Sequence, residues 1–461
     1  MDYTPSPTAA INRTEEQQMI VDASLNRDKY PVIIVQAGAG TGKTFTLKDV
    51  ATELKPRRER VLYLVFNKKN RVEAASKFRG LAKVSTVNGF AFQQMRVADL
   101  GRNVVSGLYP KQIAQILGLK SKICGVYSFQ AAKLIKQTLA AFCVSADANV
   151  LANHMAPSLS RGKNQDLAAA VLRYTQALFD MLRPGMATQH PITHDIYTKA
   201  FQLEGCPGIR SYDFVMIDEA QDSPDVTIAI LRHATTLLMV GDDHQAIYTF
   251  RDCKNAMRAF NGHTLTLTQS FRFGPAVAEL ANAIVYQKRI KPSFPPLKGW
   301  KGIQSSIGTV GRGVNHTRLY RSNVELILDA LYFTDNNLPI CIIGDLTDLQ
   351  SKLSSGWDLF QGNNNRSSYR HPLLAQYRGW GDFEKAVHIT RDIELKQVYK
   401  IITDYTSRIP ELIGLLGKEW NANAARITLV SGHRSKGLEF EHVVIGHDFD
   451  KQLDLARGNA A

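Results

Sequence analysis

Cysteine is scarce: the 461 residues hold five, at Cys124, Cys143, Cys206, Cys253 and Cys341. None stands in a C-x-x-C pair, which argues against a disulfide framework or a cysteine-built zinc site and for ordinary reduced thiols. No run approaches the ~18 apolar residues of a membrane helix, so no membrane association is expected. The opening stretch "MDYTPSPTAAINRTEEQQ" has an acid at its second position and no apolar core, which argues against a secretory signal. These absences predict a cytoplasmic protein, nucleoid-associated if bacterial. The basic run Lys55–Arg60 could also be read as a nuclear address, although such runs are more often solvated surface or phosphate contacts. Internal repeats and low-complexity tracts are missing too. Acidic residues are in deficit, 42 against 56 basic ones, giving a net charge of +14. A basic surface can be merely solvated, or it can meet a polyanionic partner, nucleic acid being the commonest.

What is present is organised around "PVIIVQAGAGTGKTFTL", Pro31 to Leu47. The β-branched run Val32–Val35 predicts a buried strand of a parallel sheet. The turn after it carries Gly38, Ala39, Gly40, Thr41 and Gly42, whose backbone N–H groups can cradle phosphate at the start of a helix near Lys43. Lys43 supplies a point charge for the outer phosphates, and the Thr44 hydroxyl is the expected Mg2+ ligand. The first loop position is Ala37 where the strict pattern has glycine. The bland alternative is a glycine-rich turn that happens to carry a lysine, and the preceding strand makes it the weaker reading.

Along the chain, "RTEEQQMIVDA" predicts a helix with Thr14 as N-cap. "VLYLVFN" and the stretch from Lys83 predict further strands, so the N-terminal part is α/β. From about Gly101 to Cys206 apolar residues recur every three or four positions, which predicts a helical insertion. α/β texture returns with "YDFVMIDEAQD" and "TLLMVGDDHQAIYTFRD". A second α/β region is expected from Pro275, interrupted by helices between 346 and 423 and resumed at "RITLVSGHRSKGLEFEHVVIGHDF".

"FVMIDEAQD" puts Asp218 and Glu219 at the C-terminal end of an apolar strand, where open α/β sheets bind ligands. Phosphoryl transfer to water needs one carboxylate to hold Mg2+ and another to orient and deprotonate the attacking water. Gln245 can sense the terminal phosphate, and Arg272 in "LTQSFRFG" can bring it a positive charge. Tyr248 and Phe250 could stack on unpaired bases beside Arg251. Their alternation is equally that of a strand's core face, which periodicity alone favours.

These pieces, in this order, resemble superfamily 1 helicases of the UvrD/Rep type. The phosphate loop, "TVNGF", "DEAQD", "GDDHQAIYTFR", "LTQSFRFG" and "SGHRSKGLEF" carry the likeness, and "LTQSFRFG", "RIPELI" and "HRSKGLEF" place it closest to the F-box DNA helicase branch. The resemblance runs from Thr14 to Phe449. It implies two RecA-like α/β lobes, each with a mostly helical insertion: residues 1–100 and 207–274 as the first lobe, 101–206 its insertion, 275–345 and 424–461 the second lobe, and 346–423 its insertion.

Carried over residue by residue, the resemblance makes Gln17 the adenine-recognising glutamine. Lys43 and Thr44 become phosphate and Mg2+ ligands, Asp218 the Mg2+ carboxylate and Glu219 the catalytic base. Gln245 and Arg272 become γ-phosphate contacts, and Glu439 the ribose contact. Single-stranded DNA would meet Phe66, Thr86, Asn88, Tyr248, Phe250, Arg251 and His433. Asn88 departs from the family's usual histidine and Phe250 from its usual tryptophan. The family's last motif, Y-V-A-x-T-R-A, is not matched, so an arginine for the γ-phosphate is expected from a protein partner or another group. The expected activity is ATP-dependent, Mg2+-dependent 3′-to-5′ translocation on single-stranded DNA and at single-strand/double-strand (ss/ds) junctions, with unwinding or protein displacement. The alternative is an ATP-gated DNA-binding subunit that needs a partner to hydrolyse.

Overall fold

The computed structural model describes residues 13–160, 164–246, 253–286, 295–311, 313–363, 371, 373–375, 377–390, 393–418, 420 and 425–449. The chain divides into two compact units, 1–307 and 308–461. Both are built on parallel sheets and carry helical insertions, the α/β class expected.

In the first unit the sheet strands are β1 (Val32–Ala37), β2 (Val61–Val65), β3 (Lys83–Thr86), β4 (Phe214–Ile217), β5 (Leu237–Gly241) and β6 (His263–Leu267). They lie side by side in the order β6-β1-β5-β4-β2-β3. Every neighbouring pair is parallel, β1 pairing Val32 with Leu237 on one side and Ile33 with His263 on the other. Both faces are apolar because a parallel sheet is covered twice. Ile33, Val35, Tyr63, Met216 and Val240 face one core with Leu47 and Val50. Their alternates Ile34, Leu62, Leu64, Val215, Ile217 and Met239 face the other.

That second core continues into the insertion. Its main helices are α5 (Pro110–Ile116), α6 (Ser128–Val144), α7 (Gln165–Leu182) and α8 (His194–Leu203), following α1 (Glu15–Leu25), α2 (Lys43–Leu54), α3 (Lys68–Lys77) and α4 (Val87–Gln94) in the lobe. Ile135, Phe142, Leu178, Phe179, Ile196 and Phe201 are buried with the sheet residues, so insertion and lobe share one interior.

Thr14 caps α1 as expected, in a reciprocal box: Gln17 N–H donates to Thr14 Oγ1 (3.2 Å) and Thr14 N–H to Gln17 Oε1 (3.0 Å). Arg13 bridges to Asp49 and Glu53 on α2. Thr268, just past β6, donates its N–H and hydroxyl to the two Glu16 oxygens at 2.7 Å each. These ties fix the start of α1 beside the loop after β1.

The unit runs past residue 275, where the sequence texture changes. Helix α9 (Pro275–Tyr286) and residues 297–303 fold back on it. Ser270 N–H donates to Lys298 O (2.8 Å), Trp300 N–H to Phe273 O (2.9 Å), and the Asn282 amide brackets Leu297.

The second unit holds β7 (His316–Tyr320), β8 (Ile340–Ile342), β9 (Ile427–Ser431) and β10 (Val443–Ile445), parallel in the order β8-β9-β7-β10. Helix α10 (Asn323–Asp335) packs on this sheet. Between β8 and β9 come α11 (Thr347–Phe360), α12 (Trp380–Thr390), α13 (Ile393–Asp404) and α14 (Ile409–Leu416), which bury Leu353, Phe383, Val398 and Leu412 in the same core as Ile342 and Leu429. Among the described residues no helix is long and apolar enough to cross a membrane.

Candidate nucleotide and nucleic-acid site

The C-terminal ends of all six strands of the first sheet lead into residues singled out by sequence. Parallel strands carry their loops to one edge, so these residues gather there whatever their separation in the chain.

After β1, Gly38 N–H donates to Leu267 O (3.1 Å), and the Thr41 hydroxyl closes the turn onto Gly38 O (2.9 Å). Gly40 and Gly42 take φ of +71° and +81°, a region that only glycine enters without strain. A Cβ on Gly40 would lie 2.5 Å from Arg272 Cβ, and one on Gly38 2.0 Å from Leu297 Cδ2. Helix α2 starts at Lys43 with no side-chain cap, leaving its first N–H groups to face the turn. Lys43 lies across the loop, Nζ 3.4 Å from Ala37 O and 3.5 Å from Gly38 O. Ala39 and Thr44 are half-buried beside it. Uncapped donors, left-handed glycines and one lysine fit a phosphate chain.

Gln17 reaches this loop: its Nε2 is 3.0 Å from the Cβ position of Gly42. Its Oε1 is held by the cap of α1, so the amide NH2 is the end offered to the loop. Phe271 comes within 4.0 Å of the same point, and its N–H donates to Gly40 O (2.8 Å). Phe271 escaped the sequence reading; its only signal was an aromatic beside Arg272. Arg272 itself has its backbone packed on Gly40, with its N–H on Ser270 Oγ (3.3 Å).

After β4, Asp218 is half-buried and accepts from Tyr63 OH (3.1 Å) and, through Oδ1, from Glu219 N–H (2.9 Å). Burial and the adjacent Glu219 push its carboxyl up from the ordinary aspartate range, against the pull of Lys43. A desolvated carboxylate whose proton affinity a like-charged neighbour raises suits a divalent cation, the role expected of Asp218. Glu219 has φ +55°, a left-handed backbone unusual outside glycine.

Two residues that the sequence reading left aside order this corner. Gln221 donates from Nε2 to Glu219 Oε2 (2.6 Å) and accepts at Oε1 from Asp242 N–H (3.0 Å). Asp242 takes the Gln245 amide on Oδ2 (2.7 Å) and His244 N–H on Oδ1 (2.9 Å). Gln245 is thereby oriented by the turn after β5.

The other end of the edge opens into a cleft of about 880 Å³. Phe66, Thr86 and Asn88 line it after β2 and β3, Tyr197 and Thr198 line it from α8, and Asp218 and Glu219 line it after β4. Thr86 accepts from Gly89 N–H (2.9 Å), capping α4, and Asn88 Oδ1 accepts from the Thr198 hydroxyl (3.0 Å). Three expected DNA contacts and both expected catalytic carboxylates therefore share one concavity. Tyr248, Phe250 and Arg251 lie outside the described residues. His433 and Glu439 are exposed in the second unit, on the segment that follows β9.

A loop built for phosphate at the C-terminal edge of a parallel sheet, with paired carboxylates after β4 at the same edge, defines a P-loop nucleotide-binding protein. The chain belongs to the AAA-domain family, which matches residues 17–251, just over half of its length. It is 31% identical over 96% of its length to F-box DNA helicase protein 1 of Schizosaccharomyces pombe. It is 28% identical over 99% of its length to F-box DNA helicase 1 of Gallus gallus. The resemblance to the F-box branch of superfamily 1 is thus borne out. The chain spans about half the length of these curated relatives, 53% and 46%. Among solved structures, the Pif1 helicase of Candida albicans aligns with 70% of this chain and 55% of its own, at 14% identity and a TM-score of 0.29.

Proposed function

We propose that the chain is an ATP-dependent DNA motor that moves 3′-to-5′ along single-stranded DNA and unwinds duplex or displaces bound proteins. The observation that carries this reading is the shared cleft, lined by Phe66, Thr86 and Asn88 and by Asp218 and Glu219. One cleft lined by both sets would give a bound strand a direct mechanical connection to the proposed hydrolytic carboxylates. The relatives named as DNA helicases and the net charge of +14 support the same reading.

In this proposal residues 1–100 and 207–274, with the segment to 307 that packs on them, form the first RecA-like lobe around the insertion 101–206, and the rest of 275–345 with 424–461 forms the second around the insertion 346–423. The N–H groups from Gly38 to Gly42 and the Lys43 ammonium bind the phosphates. Gln17 offers its amide to the base, with Glu439 at the ribose. Thr44 and Asp218 hold Mg2+, which when bound offsets phosphate charge. Glu219 accepts the proton of the attacking water, and Gln245 and Arg272 meet the terminal phosphate. Phe66, Thr86, Asn88 and His433, together with Tyr248, Phe250 and Arg251, contact the strand.

The test is ATP hydrolysis with and without single-stranded DNA, beside Lys43→Ala and Glu219→Gln, and strand separation on 3′- and 5′-tailed duplexes. DNA-stimulated turnover lost in both variants, with unwinding confined to the 3′ tail, is expected. DNA binding without turnover in the wild type would overturn the motor.

A further inference from the structure

Gln221 is 1% exposed, and its side-chain amide is tied at both ends. Its Oε1 meets a backbone N–H, of Asp242, which can only donate; its Nε2 meets a carboxylate, of Glu219, which accepts. The amide therefore has one allowed orientation, and it spans from β4's end to β5's end. Gly241, beside it, leaves no room for more: a Cβ there would fall 2.4 Å from Gln221 Oε1. The same Asp242 holds the Gln245 amide at 2.7 Å. A hydrogen-bonded line thus runs Glu219–Gln221–Asp242–Gln245 through the buried corner.

We propose that Gln221 is a positioning residue for hydrolysis: its amide holds the Glu219 carboxylate in the attacking geometry and locks it to the turn that carries Gln245. The inference rests on the proposed role of Glu219 as the base. The geometry gives the amide its role. Glu219 sits on a left-handed backbone (φ +55°), outside any helix or strand that would set its rotamer, and the buried Gln221 amide ties its Oε2 to the turn after β5.

The experiment compares wild type with Gln221→Met, Gln221→Glu and Gly241→Ala. Three readouts are taken: steady-state ATP hydrolysis, affinity for a fluorescent ATP analogue, and affinity for Mg2+·ADP·AlF4−. Gln221→Met is expected to lower kcat about 10- to 100-fold, the range of a displaced catalytic group. ATP-analogue affinity should stay within about threefold, while the aluminium fluoride complex weakens in step with kcat, because only transition-state binding is lost. Gln221→Glu, which puts an acceptor where the Glu219 oxygen takes a donor, should lower kcat at least as far as Gln221→Met with the same split between the two affinities. Gly241→Ala, which displaces the amide without altering Gln221, should reproduce the kcat loss. Turnover within twofold of wild type in Gln221→Met would overturn the inference and leave the motor standing. A kcat loss matched by loss of ATP-analogue affinity would overturn it as well. A wild type with no hydrolysis at all would overturn both.

Discussion

The Tyr63 hydroxyl donates to Asp218 Oδ2 over 3.1 Å, joining two neighbouring strands at the expected Mg2+ carboxylate. Tyr63 is fully buried at the centre of β2, and burial together with Asp218 raises its phenol well above the ordinary range, so it stays a donor. Tyr63→Phe keeps the volume and removes the donor. A hydrogen bond to a charged group is worth about 1.5–3 kcal/mol, so the Mg2+ concentration for half-maximal nucleotide binding should rise about tenfold or more. A Mg2+ titration of fluorescent-nucleotide binding reads this directly; an unchanged midpoint would remove Tyr63 from the site.

The Gly40→Ala variant tests the loop. It forces a side chain into φ +71° and against Arg272 and Ser270, costing roughly 1–2 kcal/mol for the backbone before any contact is counted. Nucleotide binding should be abolished. Gly308→Ala is the control, because nothing lies within 4 Å of a Cβ there; its melting temperature should be that of the wild type.

Thr198→Val breaks the bond that holds Asn88 from across the cleft. A neutral hydrogen bond is worth about 1 kcal/mol, so single-stranded DNA affinity should fall about fivefold. Basal ATP hydrolysis should not change. Fluorescence anisotropy with an oligonucleotide measures the first and a coupled assay the second; equal DNA affinity in both proteins would show that Asn88 needs no such partner.

Lys199 is wholly buried and donates to Ser145 O, Asp147 O and Gln202 Oε1, and burial pushes its ammonium down to about 8. Unfolded, a lysine titrates near 10.4. Between those values the unfolded chain holds the proton and the folded one has lost it, so stability gains from this group as pH rises through that window. Urea melts of wild type and Lys199→Met from pH 7 to 10 check this. The wild type should gain on the variant above pH 8, and parallel curves would refute the assignment.

Much of the site was legible because its chemistry needs particular residues in short runs. Gly40, Gly42, Lys43 and Thr44 stand within five positions, and Asp218 and Glu219 are adjacent. Such groups keep their relations whatever the remainder of the chain does. Gln17 was recognised only through the family likeness; the structure puts its amide at the loop through the Thr14 cap and the Glu16–Thr268 tie. Tyr63, Gln221, Asp242 and Phe271 were passed over. In sequence each looks like a core aromatic, a spare amide, a capping acid or a strand-end aromatic.

By itself the sequence determined the strand and helix periods, the phosphate loop and the carboxylate pair, since these depend on local backbone geometry and on neighbours a few residues away. The tertiary structure decided which distant residues meet. The strand order β6-β1-β5-β4-β2-β3 sets β4 beside both β2 and β5. Tyr63 thereby reaches Asp218 across 155 positions, and Gln221 reaches Asp242 across 21. Pairing order is a property of the assembled sheet, because burying both its faces fixes which edges meet, and no single segment carries that information.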